Sequence, residues 1–336
     1  MSPKKKIPTI YDVAERSGVS ISTISRVLNA PEKVKHETRT KVFEAIDGLG
    51  FVPKVEARAR ALRQTGRIGV VTPFFTAPSF VQRLRGVASA LSKSNYELVI
   101  YTVDSVDRLH GYISSIPLTG HLDGLILMSL PIREKDAQRL SVHGLETVLI
   151  EYPHPRLNSI EIDDELGGQM AAEYLIKKGH RRVAFLGDIE PPEAFAIHPI
   201  SKRLLGFRKT LKASGIALPE AYVRWASDTQ EDSRRAAHEQ LCLSEPPTAI
   251  FAASDIQALS VIKVARQLNI SIPGQLAVLG FDDIDGADHA DLTTISQQLD
   301  ESGRLAVEIL LSRIKNPNRP RQHIQLPLTI IQRLSA

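Results

Sequence analysis

The chain has 336 residues, a formal net charge of +4 and 43% hydrophobic residues. This length is too great for one ordinary core and predicts two or three domains. No apolar run approaches the roughly 18 residues of a membrane span, and the one cysteine, Cys242, excludes an internal disulfide.

The charge is unevenly distributed along the chain. Residues 1–67 hold 14 Lys and Arg against 7 Asp and Glu, whereas the remaining residues hold 28 against 31. A basic head on a mildly acidic body is typical of a protein whose head alone binds a polyanion. The basic start at Lys4–Lys6 lacks the apolar stretch of a secretory signal, so we expect a cytoplasmic protein.

The segment Thr9–Asn29 predicts two short helices joined by a tight turn at Gly18. Thr9 and Asp12 are spaced as a capping box, and Ser20 can cap the second helix. The outward side chains near the start of this second helix are small or basic: Ile21, Ser22, Ser25 and Arg26. Such a helix suits the DNA major groove, because arginine can donate two hydrogen bonds to guanine and hydroxyls reach phosphates or base edges. The alternative is a solvated helical hairpin inside a larger α domain.

Two further segments complete the basic head. His36–Leu49 returns to helical spacing and ends before Gly50, so three helices form one small domain. Residues 53–64 are rich in Ala and Arg but carry few large apolar side chains. We interpret them as a linker that becomes helical only in a supporting context, or as a plain solvated linker.

From Arg67 onward, about ten strand-like apolar runs alternate with helical stretches. Near-continuous apolar strands of this kind indicate parallel sheets that are covered on both faces. Ten strands exceed what one open sheet usually holds, so two similar subdomains are expected. The last run contains Pro327, and we assign it to a sheet edge.

Several motifs occur together and in a fixed order: TIYDVAERSGVSISTISRVLN, IGVV at Ile68, DGLIL at Asp123, GHRRVAFLG at Gly179, PTAIFAASD at Pro247, LAVLGFDD at Leu276 and LTTISQ at Leu292. On these motifs, the chain resembles the LacI/GalR family of bacterial transcription regulators over nearly its full length. The resemblance implies an all-α helix-turn-helix head and an α/β body like a periplasmic binding protein, with two Rossmann-like lobes around a ligand cleft. It also implies a homodimer that binds near-palindromic double-stranded operator DNA and a small-molecule effector.

The implied domains are a head at 1–52, a hinge helix or linker at 53–66 and a body at 67–336. Within the body, the N-lobe would comprise about 67–157 and 292–321, and the C-lobe about 158–291 and 322–336. We therefore expect the chain to cross between the lobes near residues 157, 291 and 321.

The resemblance assigns DNA-binding roles within the second helix and the hinge. Ile21, Ser22 and Arg26 match base-reading positions, and the positions expected on phosphates or nearby groove edges are Ser20, Thr23, Ser25 and Asn29. Arg60 stands where the family usually has a leucine that wedges into the central minor-groove step, and Leu62 follows two residues later. Either Leu62 takes that role in a shifted register, or Arg60 enters the groove as a cation.

Ligands of two-lobed α/β proteins bind at the carboxyl ends of the strands. Candidates from strand ends and from the resemblance are Phe75, Phe80, Ser129, Tyr152, Arg203, Ser254, Asp255, Asp282 and Gln297. Carboxylates and guanidinium groups pair with vicinal hydroxyls, and aromatic rings pack on C–H faces, so this set suits a polyol. For the acids the alternative is a capping or turn role, and for Phe75 a place in the core.

We expect a transcription regulator, a repressor of sugar-utilisation genes that is switched by a mono- or oligosaccharide. The alternatives are a purine- or other metabolite-responsive corepressed regulator and, more remotely, a sugar-binding or sugar-modifying protein with a DNA-binding head. The sequence lacks a G-x-G-x-x-G after the first strand, a phosphate-binding G-x-x-x-x-G-K-[ST] loop and an H-E-x-x-H motif. We therefore expect no enzyme activity, no cofactor and no metal. The sequence leaves open the effector, the sign of the switch, the operator, and dimer against tetramer.

Overall fold

The computed structural model describes residues 8–29, 34–49, 51, 65–189, 196–197, 199–227 and 229–336. The chain forms two compact units, Met1–Thr65 and Gly66–Ala336. The predicted hinge at 53–64, with Arg60 and Leu62, lies outside the described residues. The side chains of Leu28 and Asn29 also lie outside them.

The head contains α1 (Ile10–Ser17), α2 (Ile21–Asn29) and α3 (His36–Leu49). The predicted capping box is present. The Thr9 hydroxyl accepts from the Asp12 N–H at 3.4 Å, and the Asp12 carboxylate accepts from the Thr9 N–H at 2.7 Å. Gly18 ends α1 with a φ of 69°, a left-handed conformation that glycine adopts without a Cβ penalty.

The three helices of the head enclose one small core. Its buried members are Val13, Ile24, Val27, Val42 and Ala45. Because α2 buries Ile24 and Val27 against its neighbours, its opposite face is left exposed to solvent.

The body, within the described residues, contains two six-stranded sheets. The strands are β1 (Arg67–Pro73), β2 (Glu97–Val103), β3 (Gly124–Met128), β4 (Glu146–Ile150), β5 (Asn158–Glu161), β6 (Val183–Asp188), β7 (Val223–Ala226), β8 (Ala249–Ala252), β9 (Ala277–Asp282), β10 (Thr293–Ser296), β11 (His323–Gln325) and β12 (Thr329–Ile331). The sheet orders are β11-β5-β4-β3-β1-β2, here called the N-lobe, and β12-β10-β9-β8-β6-β7, here called the C-lobe. All described pairings are parallel except β10 with β12.

The helices of the body cover the faces of these sheets. They are α4 (Pro78–Leu91), α5 (Val106–Thr119), α6 (Glu134–Val142), α7 (Asp164–Lys177), α8 (Ile200–Ala213), α9 (Gln230–Leu241), α10 (Asp255–Gln267), α11 (Asp285–His289) and α12 (Leu299–Lys315). No helix of the described part of the chain is long and apolar enough to cross a membrane.

Each lobe has a hydrophobic cluster on both faces of its sheet. Along β3, Leu125 and Leu127 join one cluster, whereas Ile126 and Met128 join the other. This alternation explains why the strand is apolar at every position, and it confirms the prediction of parallel sheets covered on both faces.

The lobe boundaries predicted from the sequence are wrong by several residues at each crossing. Backbone pairing places β5 beside β4 in the N-lobe, β10 beside β9 in the C-lobe, and β11 beside β5 in the N-lobe. The chain therefore crosses after Glu161, after Ser296 and again between β11 and β12. Sequence pattern does not report which neighbour a strand bonds to, so it could not set these points.

The C-terminal run forms edges of both sheets. β11 pairs at the edge of the N-lobe and β12 at the edge of the C-lobe, with Pro327 between them. Because proline has no N–H to donate, a break at Pro327 leaves both short strands fully paired on their inner sides.

Candidate functional site

The first candidate site is the exposed start of α2. The Ser20 hydroxyl accepts from the Thr23 N–H at 3.2 Å and so caps the helix, as predicted. Ile21, Ser22 and Arg26 are exposed on the face opposite the head core. Thr23 and Ser25 are half-buried at the margins of this face. The start of the helix therefore presents two serine hydroxyls, Ser20 and Ser22, together with the aliphatic Ile21 and the long cation Arg26, to a partner surface.

The second candidate site is the edge of the body at which the carboxyl ends of the parallel strands meet. Five residues just after these strands or within their last position have positive φ angles without being glycine: Phe74 (43°), Ser129 (52°), Glu151 (71°), Asp282 (114°) and Asp283 (60°). Such conformations are unfavourable for L residues and cluster at functional sites. Five of the eight described non-glycine residues with positive φ angles therefore lie at this edge.

In the N-lobe, this edge is built around Arg83 of α4, which is only 2% exposed. Its guanidinium donates to Glu151 at 2.5 Å and to the Ser302 hydroxyl at 3.0 Å. Ser129 donates a further short hydrogen bond to Glu151. Burial alone would raise the pKa of Glu151, but the Arg83 charge and the Ser129 hydroxyl hold it below its usual value. Glu151 is therefore ionised at neutral pH.

In the C-lobe, the corresponding centre is Arg203 of α8. It donates to Asp164 at 2.9 Å and to the carbonyl of Ala253 at 2.6 Å. Its guanidinium carbon lies 3.6 Å from the centroid of the Phe281 ring. The Asp282 carboxylate lies 3.8 Å from the same guanidinium. Arg203 is thus fixed by a stacked ring and several acceptors.

Gln297 joins the two halves of the site. It lies between β10 of the C-lobe and α12 of the N-lobe. Its amide nitrogen donates to Asp282 at 2.5 Å, and its amide oxygen accepts from Arg83 at 3.3 Å. Burial raises the pKa of Asp282 to about 7, although Arg203 and Gln297 act in the opposite direction. One polar network therefore runs from the N-lobe to the C-lobe.

The structure gives Ser254 and Asp255 local roles. Ser254 caps α10 by accepting from the Gln257 N–H at 3.4 Å. Asp255 accepts from the Ile284 N–H at 2.9 Å and from the Thr294 hydroxyl at 2.5 Å. Asp255 is therefore a buried brace between distant elements and not an exposed acceptor.

The aromatic candidates differ in their exposure and packing. Phe74 and Phe75 are 43% and 42% exposed, which excludes the core alternative for both. Phe80 packs edge-on against Phe74 with ring centroids 6.1 Å apart. Phe80 also packs against one N-lobe hydrophobic cluster, and Tyr152, directly after Glu151, packs against the other.

The sequence interpretation missed Arg83, Glu151 and Asp164. Selection of Tyr152 as a strand-end residue treats Glu151 as the last residue of its strand, whereas β4 ends at Ile150. Helical spacing alone does not distinguish Arg83 from the other polar residues of its helix. The pattern R-x-x-G is shared by Arg83 and Arg203, the predicted ligand contact, but it also occurs at Arg63 and Arg108 and so gives no specific signal.

No group of three or more His, Cys, Asp and Glu in the described ranges could hold a metal ion. The chemistry of the network is that of hydrogen-bond exchange: carboxylates accept, guanidinium and amide groups donate, and rings cover apolar faces. It suits binding of a polar, non-ionic molecule with several hydroxyl groups.

Comparison with known proteins agrees with the division into a helical head and a two-lobed α/β body. Residues 9–54 match the family model of the bacterial regulatory proteins of the lacI family, and residues 172–336 match that of a periplasmic binding protein-like domain. The ribose operon repressor of Escherichia coli K12 is 32% identical over 98% of this chain and 99% of its own length.

Two solved structures share the full fold. A complex of the transcriptional regulator CelR with cellobiose has a TM-score of 0.68 at 30% identity, covering 98% of this chain and 100% of that one. The lac repressor dimer bound to operator and the anti-inducer ONPF has a TM-score of 0.78 at 25% identity, covering 98% and 99%. The chain belongs to the LacI family of bacterial transcription regulators.

Proposed function

We propose that this protein is a repressor that binds near-palindromic operator DNA as a homodimer and is switched by a sugar bound between its lobes. The observation that carries the proposal is the buried network from Glu151 through Arg83, Gln297 and Asp282 to Arg203, at the edge where the strands of both lobes end. Its place of action is the cytoplasm, where operator DNA lies in the nucleoid.

The DNA-binding part of the proposal rests on α2. Ile21, Ser22 and Arg26 are the proposed base-reading side chains, since they are exposed near the start of the helix. Ser20, Thr23, Ser25 and Asn29 are the proposed contacts to phosphates and groove edges. Arg60 or Leu62 is proposed to act at the central minor-groove step.

The ligand-binding part rests on paired donors and acceptors. Arg203, Asp282, Gln297 and Ser129 are proposed to exchange hydrogen bonds with vicinal hydroxyls, because each already takes part in the cleft network. Phe75 and Phe80 supply rings that can pack on the C–H face of a sugar ring. A ribose operon repressor and a CelR–cellobiose complex among the similar proteins favour the same class of ligand.

The switch follows from the three chain crossings between the lobes. A ligand that contacts both Arg83 or Glu151 in the N-lobe and Arg203 in the C-lobe favours one relative orientation of the lobes over another. In a dimer, such a change alters the spacing of the two heads and hence operator affinity, typically by ~1–3 kcal/mol.

The DNA contact is tested by Arg26→Ala. It is expected to weaken operator binding by roughly 1–3 kcal/mol and to relax the preference at one base pair, because the guanidinium no longer reads a base edge. Selection of bound sequences from a random pool, followed by fluorescence anisotropy, measures both. Lys41→Ala, an exposed charge on α3, is the control. Uniform weakening on all sequences would make Arg26 a phosphate contact.

The ligand site is tested by a thermal-shift screen of the full chain with sugars, nucleobases and amino acids. A sugar is expected to raise the melting temperature, and Asp282→Ala is expected to abolish that shift while operator binding persists. Unchanged sugar affinity in Asp282→Ala would remove Asp282 from the site. A shift with nucleobases alone would replace the sugar by a purine effector.

A further inference from the structure

The cleft network contains more carboxyl groups than cations. Asp282 is a buried carboxyl group, and the carboxyl groups of Glu151 and Asp164 are half-buried. The buried guanidinium groups of Arg83 and Arg203 contact them. The charge of Lys202 also reaches Asp164, but this side chain is exposed to solvent.

Both guanidinium groups are already engaged by acceptors of the protein. Arg83 donates to Glu151, Gln297 and Ser302. Arg203 donates to Asp164 and to a main-chain carbonyl, and one of its faces is covered by Phe281. A phosphate group would have to displace a carboxylate from one of these cations in order to bind it.

The electrostatic consequence is a cleft that offers an anion no uncompensated cation. Glu151 is ionised beside Arg83, and Asp164 and Asp282 both lie against Arg203, although burial raises the pKa of these two carboxyl groups. A phosphate ester carries close to two negative charges at neutral pH, and like charges brought together in a desolvated site are unfavourable. An uncharged hydroxyl can instead donate to a carboxylate oxygen without disturbing the arginine pairs. Glu151 is the acid best suited to this role, since Arg83 and Ser129 keep it ionised.

We propose that the cleft selects an uncharged effector against its phosphate ester, with Glu151 as the residue that determines this choice in the N-lobe. The proposal rests on the function proposed above and specifies its ligand class: free sugars bind and sugar phosphates do not.

The test uses the full-length protein and matched pairs of probes. The pairs are D-ribose with D-ribose 5-phosphate, D-glucose with D-glucose 6-phosphate, and adenosine with AMP. Titration calorimetry and thermal shift measure each affinity. We expect every phosphate to bind at least about tenfold more weakly than its neutral partner.

Three variants test whether the carboxylate charges cause the preference for the neutral probe. Glu151→Gln removes the charge but keeps the size, and it is expected to shift the affinity ratio toward the phosphate by roughly tenfold, because Arg83 is then left without its carboxylate. Asp282→Asn gives an independent charge removal should Glu151→Gln fail to fold. Glu97→Gln is the matched control, since Glu97 lies in the same lobe at the opposite end of β2 from the cleft and pairs with Arg67 at the surface. It should leave the ratio unchanged.

The outcomes separate the two proposals. A sugar phosphate that binds as tightly as its free sugar would overturn charge selection while the sugar effector stands. Adenosine binding without sugar binding, and with AMP rejected, would overturn the sugar effector while charge selection stands. If no neutral probe binds, both proposals are wrong. An unchanged ratio in both Glu151→Gln and Asp282→Asn would also overturn the assigned cause.

Discussion

The N-lobe and the C-lobe hold their cleft arginines in the same way. In the N-lobe, Gly86 follows Arg83 by three residues, and a Cβ on it would lie 1.9 Å from the main-chain oxygen of Asp300. In the C-lobe, Gly206 follows Arg203 by three residues, and its Cβ would lie 1.9 Å from the oxygen of Glu165. Each arginine thus stands one turn before a glycine that lets two helices touch through their backbones.

The facing helices repeat the arrangement. A Cβ on Gly303 of α12 would lie 2.1 Å from the main-chain oxygen of Arg83. A Cβ on Gly168 of α7 would lie 1.8 Å from that of Arg203. Close backbone contact on both sides fixes the main chain of each arginine, so its Cα is held in a rigid position.

The carboxylates that meet these arginines behave differently. The pKa of Glu151 is lowered, since Arg83 and Ser129 outweigh its burial. The pKa of Asp164 is raised, because burial and the nearby charge of Glu151 outweigh Arg203. Two helix pairs of the same construction therefore hold arginines whose partner carboxyl groups differ: one is stabilised as an anion and the other is not. The number of partners that stabilise each carboxylate, more than the helix packing beside it, therefore sets its protonation state.

Removal of one cleft arginine is expected to have the largest effect on stability. Arg203→Met leaves Asp164 and Asp282 buried without their cation, and it is expected to lower the free energy of unfolding by about 3–5 kcal/mol. Urea unfolding is measured by the fluorescence of Trp225, the one tryptophan, which packs on Phe185 in the C-lobe. Arg208→Met on the same helix breaks only an exposed pair and should cost about 0–1 kcal/mol. Equal losses in the two variants would show that Arg203 has no special structural role.

Glycine substitutions test the shared scaffold directly. Gly86→Ala and Gly168→Ala each force a Cβ against main-chain atoms of the partner helix, and each is expected to cost about 1–3 kcal/mol. Gly111→Ala is the control, since this helical glycine has open space around it and alanine should add about 0.5–1 kcal/mol. Thermal unfolding followed by circular dichroism measures all three. If only one lobe were sensitive, the two helix pairs would not be equivalent.

Much of this architecture is accessible from the sequence. The alternation of apolar strands and helices predicted two covered parallel sheets, and the capping box at Thr9 predicted the first helix of the head. These features depend on local spacing, which the sequence states directly. The cleft residues Arg203, Asp282 and Gln297 were also predicted, from strand ends and from the family resemblance.

The remaining features depend on contacts between distant segments. The crossing points follow from which strands bond to each other, and Asp255 is a brace only because Ile284 and Thr294 reach it. Helical spacing does not distinguish Arg83 of α4 from an exposed charge, and its burial results from the approach of Ser302 and Glu151. No local pattern reports such approaches, so the network had to be read from the structure.

The opposite pKa shifts predict how stability depends on pH. Asp282 has a folded-state pKa of about 7, raised by burial, so between about pH 4 and 7 the folded protein holds a proton that the unfolded chain has released. Stability should therefore fall as pH rises through this window. Asp282→Asn should reduce the decrease in the free energy of unfolding between pH 5 and 8 by roughly 1–2 kcal/mol. Glu151 contributes with the opposite sign and only at lower pH, since its folded-state pKa is depressed.

Urea unfolding at several pH values, again read through Trp225, measures this slope. A residual slope of the same sign is expected in Asp282→Asn, because burial also raises the pKa of Asp164 and Asp255. If stability depended on pH identically in the wild type and the variant, a group other than Asp282 would hold the proton.

The smallest effect is expected at the rim of the cleft, where Arg85 also spans the lobes. Its guanidinium contacts Asp285 of the C-lobe at 2.7 Å and Asp300 of the N-lobe at 2.7 Å. These side chains are largely exposed, so Arg85→Gln should cost about 0–1 kcal/mol, and 1 M salt should reduce the difference further. A double-mutant cycle with Asp285→Asn measures the pair itself. A loss as large as that of Arg203→Met would mean that the exposed rim, and not the buried network through Gln297, holds the two lobes in this orientation.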